Sequence, residues 1–257
     1  SDGAKNTVKR EERMKKKGKI IALICLALVF ILGLGSVLYV SDYYRADDTA
    51  AAAMAYEGRD VQIEKNGNMI TFMPEDPTYG LIFYPGGKVQ CKAYAPLLLE
   101  CAKKGIACVL LKMPGNLAVL KPGAADGVQE KYPEIRSWYI GGHSLGGAMA
   151  ASYVSKHVDE YDGLILLAAY STSDLSKTQL KVLSIYGSED GVLNRESYEK
   201  NRGNLPENFE EEILDGGCHG YFGCYGAQKG DGVPKLTNQE QVQQTAEYIE
   251  NMICKEK

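Results

Sequence analysis

A serine flanked by glycines, Ser144, has the residue types and spacing of a catalytic nucleophile. Residues 142–146 read Gly-His-Ser-Leu-Gly, with a strand pattern before them and an Ala-rich helical pattern after them. A tight turn between such a strand and helix presents the serine hydroxyl in a strained conformation, and the glycines leave room where a β-carbon would clash. The N-terminus of the helix favours negative charge at the same point. The pattern therefore predicts acyl transfer through Ser144.

A serine hydroxyl is a poor nucleophile, so the chain must also supply a base that is oriented by a third group. The sequence contains three histidines. His143 precedes the nucleophile and is expected to point away from its hydroxyl, while His157 lies at the end of the following helical pattern. His219 lies in a glycine-rich loop after the last predicted strand. Position and elimination both favour His219 as the base.

The third group is expected on a loop between Ser144 and His219. The apolar strand pattern 182–186 is followed by Gly-Ser-Glu-Asp-Gly at 187–191, so an acid emerges at the carboxyl end of a strand. We favour Asp190 as the group that holds His219 in the required tautomer. Glu189 is the alternative.

An oxyanion formed during acyl transfer needs hydrogen-bond donors. The backbone N–H of Leu145, directly after the nucleophile, is the first candidate. The second should come from the loop after the strand pattern 81–84, which reads Pro-Gly-Gly-Lys-Val at 85–89. Glycines let the backbone turn its N–H groups into a site, so either Gly87 or Lys88 is expected to donate.

Short aliphatic or β-branched runs alternate with helical patterns from residue 60 onward. The predicted strands are 61–65, 69–73, 80–84, 106–111, 138–141, 164–168, 182–186 and 211–214. The predicted helices are 93–104, 124–132, 145–158, 196–202 and 239–255. Several strands are apolar throughout, as strands covered on both faces require. This order predicts one α/β domain at 60–257, with an open, mostly parallel sheet and ligands at the carboxyl ends of its strands.

These motifs resemble those of α/β-hydrolases, and more narrowly of the compact serine hydrolases and small esterases related to dienelactone hydrolases. The resemblance rests on the segments 84–89, 142–147, 187–191 and 217–223. It implies an α/β-hydrolase fold with an eight-stranded sheet flanked by helices, and a triad of Ser144, Asp190 and His219. Dienelactone hydrolases have a cysteine nucleophile, which argues against that specific activity here. The segment 171–180, where many lipases carry a cap, is short, so no large cap is expected.

The charge of the chain is divided between two unlike parts. The sequence has 257 residues and a formal net charge of -4, yet residues 1–19 hold eight basic and only three acidic side chains. The acidic remainder does not suit a nucleic-acid partner, which is bound by Lys and Arg. Residues 20–40 carry no charge, and a helix of that length spans a bilayer core of roughly 30 Å.

This asymmetry predicts a membrane topology. Basic residues before the span place a cytoplasmic segment at 1–19, a transmembrane helix at 20–40 and the body outside the cytoplasm. A cleaved signal peptide is the alternative, although its apolar region is normally shorter. Residues 41–59 are polar and then Ala-rich, and are expected to form a linker, either a stalk or a short helix, that separates the body from the bilayer.

Aromatic and cysteine residues near the predicted site leave several possibilities open. Tyr170, Tyr221 and Phe222 are expected either to line a substrate pocket or simply to pack. Cys218 and Cys224 bracket the loop of His219 and could oxidise outside the cytoplasm, although spacing alone does not establish it. No cluster has the spacing of a metal site, so neither metal nor cofactor is expected.

The sequence as a whole predicts a membrane-anchored serine hydrolase that cleaves small-molecule carboxylic esters through an acyl-enzyme. Acyl transfer or peptide hydrolysis would use the same groups, and fold alone does not separate them. A non-catalytic binding module is the alternative from another class, and a complete serine, acid and histidine set argues against it. The sequence makes no prediction of oligomeric state.

Overall fold

A computed structural model describes residues 2–254 of the chain. Residue 1 of the predicted basic segment and residues 255–257 of the predicted domain lie outside the described residues, as do the side chains of residues 2–15, 18, 20 and 22. The described chain forms two compact units, with the division after Asp42.

The first unit is the helix α1, Asp2–Ser41. Its stretch Leu23–Ser41 has a mean hydropathy of 2.7 and buries none of its surface within the protein. It is long and apolar enough to cross a membrane by length and composition, and an N-terminal signal sequence would meet the same criteria. The predicted apolar N-terminal helix is therefore present.

The second unit is built on an eight-stranded sheet of order β1-β2-β4-β3-β5-β6-β7-β8. The strands are β1 Val61–Asn66, β2 Met69–Pro74, β3 Tyr79–Tyr84, β4 Ile106–Leu111, β5 Ser137–His143, β6 Gly163–Leu167, β7 Lys181–Gly187 and β8 Glu210–Leu214. The pairs β1–β2 and β2–β4 are antiparallel and the remaining neighbours are parallel. The predicted fold class is confirmed.

The central strands are apolar because helices cover both faces of the sheet. Along β3, Leu81 and Phe83 belong to one core cluster, whereas Ile82 and Tyr84 belong to the other. Side chains alternate between faces with a period of two, so in a strand covered on both sides successive side chains are all buried and are therefore apolar.

Five helices accompany the sheet in the second unit. They are α2 Asp48–Met54, α3 Ala95–Lys103, α4 Leu145–Val154, α5 Arg195–Asn201 and α6 Asn238–Cys254. Apolar side chains of α2, α3 and α6 share the core cluster on one face, while those of α4 join the cluster on the other. The carboxyl ends of β3, β5, β7 and β8 all meet at one edge, because these strands are parallel.

The helix predicted at 124–132 is wrong. This segment forms turns and a short 3-10 helix at Gln129–Lys131. Gly127 has φ +68°, outside helical geometry, and the hydroxyl of Tyr84 accepts the N–H of Ala125 at 3.1 Å. The residue pattern indicated a helix, but a glycine turn and a buried tyrosine decide the local structure. The helix predicted at 145–158 is also shorter and ends at Val154.

The segment 41–59 contains the short helix α2, one of the two possibilities that the sequence left open, and it is not a separate stalk. Residues from Tyr43 onward belong to the same compact unit as the sheet. Ala50 of α2 is fully buried and packs in the core cluster of α3 and α6. One side of the Ala-rich run therefore packs on the core, whereas Ala51 and Ala52 are exposed.

Replacing Leu110 by Ala should lower the free energy of unfolding by about 2–5 kcal/mol, because it leaves a cavity in a close-packed core. Leu110 is fully buried in β4, whereas Leu120 is 59% exposed and provides a matched Leu→Ala control. Urea unfolding can be followed through Trp138, the single tryptophan, which is buried in β5. Equal destabilisation by both variants would contradict this core assignment.

Candidate active site

Ser144 lies at the turn between β5 and α4 in a strained backbone conformation. Its φ of 54° and ψ of -123° lie outside the regions that side-chain-bearing residues normally occupy, at a cost on the order of 1–3 kcal/mol. The N–H of Ser144 donates to Leu167 O at 2.9 Å, and its carbonyl accepts from Ala148 N at 3.1 Å. Neighbouring strand and helix thus hold the turn in place.

The two glycines of the motif are required by close backbone approach. A β-carbon at Gly142 or at Gly146 would meet the carbonyl oxygen of Tyr84 well inside contact distance. Any side chain there would push β3 away from the turn. The spacing of the motif is therefore a packing requirement between β3 and the start of α4.

Asp190 and His219 form a buried hydrogen-bonded pair. His219 Nδ1 lies 2.9 Å from Asp190 Oδ2, and their side chains are 1% and 0% exposed. The other oxygen of Asp190 accepts the N–H groups of Val192 and Leu193, both at 2.8 Å. With Nδ1–H donating to the carboxylate, Nε2 is left as the basic nitrogen of His219.

The other acid, Glu189, faces away from the histidine. Its Oε1 accepts from Lys235 Nζ at 2.6 Å, and this hydrogen bond lowers the pKa of Glu189. The structure therefore brings Asp190, and not Glu189, to His219.

The basic nitrogen of His219 has no hydrogen-bond partner among residues 2–254, Ser144 included. It is also buried. Hydrogen bonds between a catalytic base and its nucleophile are often long without substrate and shorten in the Michaelis complex. His219 Nε2 is therefore a buried nitrogen whose hydrogen-bonding capacity is unused within residues 2–254.

The oxyanion candidates are reduced to one residue in the loop after β3. Lys88 donates its N–H to Asn116 O at 2.8 Å, and Gly86 donates to the hydroxyl of Tyr94 at 3.0 Å. Gly87 lies between them, so close to Leu145 that a β-carbon would be 2.8 Å from Leu145 Cδ2. Of the two open alternatives, Gly87 is therefore favoured over Lys88 as the partner of Leu145.

His143, which the sequence analysis set aside, packs against the histidine of the pair. The rings of His143 and His219 have centroids 4.5 Å apart. The Tyr94 hydroxyl is hydrogen-bonded to His143 Nδ1 at 2.8 Å and also accepts the N–H of Gly86 at 3.0 Å. Burial, and then the charge of His219, hold the pKa of His143 well below its usual range. A neutral imidazole thus lies beside His219.

Asp231 is a second residue that sequence reasoning missed. Its carboxylate accepts the N–H groups of Gly191 and His219, both at 3.1 Å, and of Gly220 at 2.8 Å. It therefore joins the loop of Asp190 to the loop of His219. Burial alone would raise its pKa, but the three backbone N–H groups outweigh burial and the pKa is lowered. A Gly-Asp-Gly turn was its only sequence signal.

The aromatic residues proposed for a pocket have different surroundings. Phe222 is fully buried and its ring lies 5.6 Å from that of His143, so it packs behind the site. Tyr170 packs beside the cluster of Tyr186, Leu193 and Tyr198. Tyr221 lies in the short 3-10 helix that follows His219 and is half-buried.

Both cysteines around His219 are free thiols in the structure. Cys224 Sγ lies 2.7 Å from Asn238 Oδ1, and Cys218 is buried. The disulfide considered for this pair is not formed. Within the described part of the chain, no three His, Cys, Asp or Glu side chains are grouped so that they could hold a metal ion.

Comparison with known proteins agrees with this geometry. The model of the α/β-hydrolase family matches residues 80–243. The chain belongs to the α/β-hydrolase family. No curated protein matches its sequence significantly.

Solved α/β-hydrolase structures resemble the chain in fold. A predicted CIB-like hydrolase from Thermoplasma acidophilum is 18% identical with a TM-score of 0.55, and the match covers 76% of this chain and 100% of that one. Est1E from Butyrivibrio proteoclasticus is 14% identical with a TM-score of 0.55, over 75% of this chain and 98% of that one. At these identities the likeness shows a shared fold, and this α/β-hydrolase must be interpreted from its own residues.

Asp231→Ala should destabilise the protein by about 1–3 kcal/mol near neutral pH, because buried N–H groups lose their acceptor. Since the folded-state pKa of Asp231 is lowered, its ionised form stabilises the fold above the unfolded-state pKa, which is about 3.9 for Asp. That contribution is lost as the pH falls through the folded-state pKa. The difference in the free energy of unfolding between wild type and variant should therefore become smaller in acid.

Urea unfolding of both proteins at a series of pH values measures this gap. Asp215→Ala is the control, because Asp215 is an exposed aspartate that follows β8. A gap that stays constant into acid would contradict the role given to the Asp231 carboxylate.

Proposed function

We propose that this α/β-hydrolase is a serine hydrolase that cleaves carboxylic esters through an acyl-enzyme. The observation that carries the proposal is the buried pair of Asp190 and His219 at the same sheet edge as Ser144 in its strained turn. His219 is held with Nε2 free, which is the state a general base requires.

The reaction follows from this arrangement. His219 Nε2 takes the proton of Ser144 as Oγ attacks the ester carbonyl, and the positive charge on the imidazole is paired with Asp190. The N–H groups of Leu145 and Gly87 stabilise the oxyanion. Nε2–H then protonates the departing alkoxide, leaving an acyl-serine. Water, deprotonated by His219, attacks the acyl carbon, and the acid leaves as Ser144 regains its proton.

Among acyl substrates, esters are the easiest for these groups to cleave. An alkoxide departs with a single proton from His219, whereas an amide nitrogen is a poorer leaving group and binds its proton only in the tetrahedral state. The short connection between β6 and β7 also leaves the site without a large cap. Of the substrates that a Ser-His-Asp triad can cleave, these features favour a small ester.

We also propose that α1 anchors the enzyme, with its N-terminus in the cytoplasm and the catalytic unit outside. The apolar stretch of α1 supports an anchor, and the basic residues that precede it support this orientation. The triad residues all belong to the second unit.

A fluorophosphonate probe should label wild type at Ser144, and Ser144→Ala should abolish the adduct because it removes the proposed nucleophile. Asp190→Asn should lower kcat for a short-chain ester by about 10⁴-fold, since His219 would then be held in the wrong tautomer. Mass spectrometry of the labelled peptide and steady-state hydrolysis provide the two measurements.

Glu189→Gln is the matched control, because Glu189 is the neighbouring acid and pairs with Lys235. It should leave both readouts near wild type. A folded wild type that forms no adduct at Ser144 would favour the binding-module alternative and defeat the proposed hydrolase.

The proposed topology predicts that protease added to intact cells digests the catalytic unit and spares a tag placed before α1. Immunoblotting of both ends after digestion checks this, with lysed cells as the control. A catalytic unit that resists digestion until lysis would reverse the orientation. A tag that separates from the catalytic unit without protease would instead identify a cleaved signal sequence.

A further inference from the structure

The segment that follows α1 is attached to the loop that carries the oxyanion donor. Tyr44 N–H donates to Lys88 O at 2.7 Å, and Gln90 N–H donates to Tyr44 O at 2.9 Å. The side chain of Gln90 returns the contact by accepting from Ala46 N at 2.9 Å. Tyr44 and Val89 thereby form a parallel β-bridge. The loop after β3 thus has an added strand-like neighbour from residues 43–47.

The same segment is attached to the chain that follows His219. The hydroxyl of Tyr44 accepts the N–H of Lys229 at 3.0 Å, and its ring lies 5.5 Å from the ring of Tyr225. Asp47 N–H donates to Cys224 O at 3.0 Å. Tyr44 therefore contacts both loops that the proposed mechanism requires, one through its backbone and the other through its side chain.

The attachment at Lys88 coincides with a strained residue. Lys88 has φ +58°, a left-handed conformation that is unfavourable for a non-glycine residue. Its N–H is held by Asn116 and its carbonyl by Tyr44. Gly86, on the other side of Gly87, is held by Tyr94. The donor at Gly87 is thus fixed from both directions, and Tyr44 supplies one of the holding bonds.

We propose that Tyr44 is a positioning residue that holds the oxyanion loop, 85–90, in register with the His219 loop, 217–229. The inference rests on the proposed hydrolase mechanism and extends it to a segment outside the family match. Donors stabilise an oxyanion only when they are already aimed at the place where charge develops. Loosening Tyr44 should therefore weaken transition-state stabilisation more than substrate binding.

The adjacent tyrosine provides a matched control. Tyr43 is half-buried like Tyr44, but its hydroxyl contacts only the exposed Arg45 among the described hydrogen bonds. Tyr43→Ala and Tyr44→Ala remove the same atoms from neighbouring positions. Tyr44→Phe keeps the ring contact with Tyr225 and removes only the acceptor for Lys229.

In the full-length chain, Tyr44→Ala should lower kcat for the ester by at least about tenfold while KM changes little. The loss should stay below the ~10²–10³-fold of removing an oxyanion donor outright. Tyr44→Phe should fall between wild type and Tyr44→Ala, and Tyr43→Ala should match wild type. Fluorophosphonate labelling of Tyr44→Ala should be slower but reach the same stoichiometry, which shows that the site remains folded.

Hydrogen exchange provides a readout that does not depend on catalysis. The amide of Lys229 should exchange faster in Tyr44→Ala than in Tyr43→Ala, because it loses its acceptor, the Tyr44 hydroxyl. The amide of Gln90 donates to the backbone carbonyl of residue 44, which alanine keeps, and it should exchange faster because the side chain no longer anchors that carbonyl. Unchanged exchange at either amide would overturn the proposed link between the loops. Faster exchange with unchanged kcat, or a change confined to KM, would overturn the positioning role. A wild type without a Ser144 adduct would instead identify the hydrolase proposal as the one that fails.

Discussion

The buried hydrogen bond between Asp190 and His219 is the interaction on which the rest of the site depends. A carboxylate removed from water is strongly destabilised unless its charge is paired and its oxygens are hydrogen-bonded. Here one oxygen faces the histidine and the other receives two backbone N–H groups. Asp231 then fastens the two loops that carry the pair. The need to pair and hydrogen-bond the buried Asp190 carboxylate therefore constrains both loops, the one after β7 and the one after β8.

The neighbouring histidine shows how that requirement shapes the protein behind the site. In the proposed mechanism His219 carries a positive charge during acyl transfer, and the ring of His143 lies against it. A second imidazolium there would oppose that charge. Burial, and then the charge of His219, lower the pKa of His143 and favour its neutral form. Positive charge can then accumulate only on the ring that is paired with Asp190, and the Tyr94 hydroxyl links this neutral ring to the oxyanion loop through Gly86.

The sequence could predict the features that depend on local pattern. Residue patterns located all eight strands within a few residues. In the central strands burial on both faces leaves an unbroken aliphatic signal. The order of serine, acid and histidine identified the residues that the structure places at one sheet edge. Local pattern failed at 124–132, where a helix was predicted but Gly127 and the hydroxyl of Tyr84 impose turns.

What the sequence could not predict are contacts between residues far apart in the chain. Asp231 looks like a turn aspartate, and Tyr44 looks like part of a stalk, since neither position carries the periodicity of a core residue. Their roles arise because the parallel sheet gathers the ends of β3, β7 and β8 at one edge, leaving flexible loops that need external attachment. Hydrogen bonds within the element stabilise a strand or helix, whereas a loop depends on contacts with other parts of the chain. In this protein the segment 43–47 and the turn at Asp231 provide those contacts. A catalytic unit defined by the repeating strands and helices alone would therefore omit the residues that hold its loops in place.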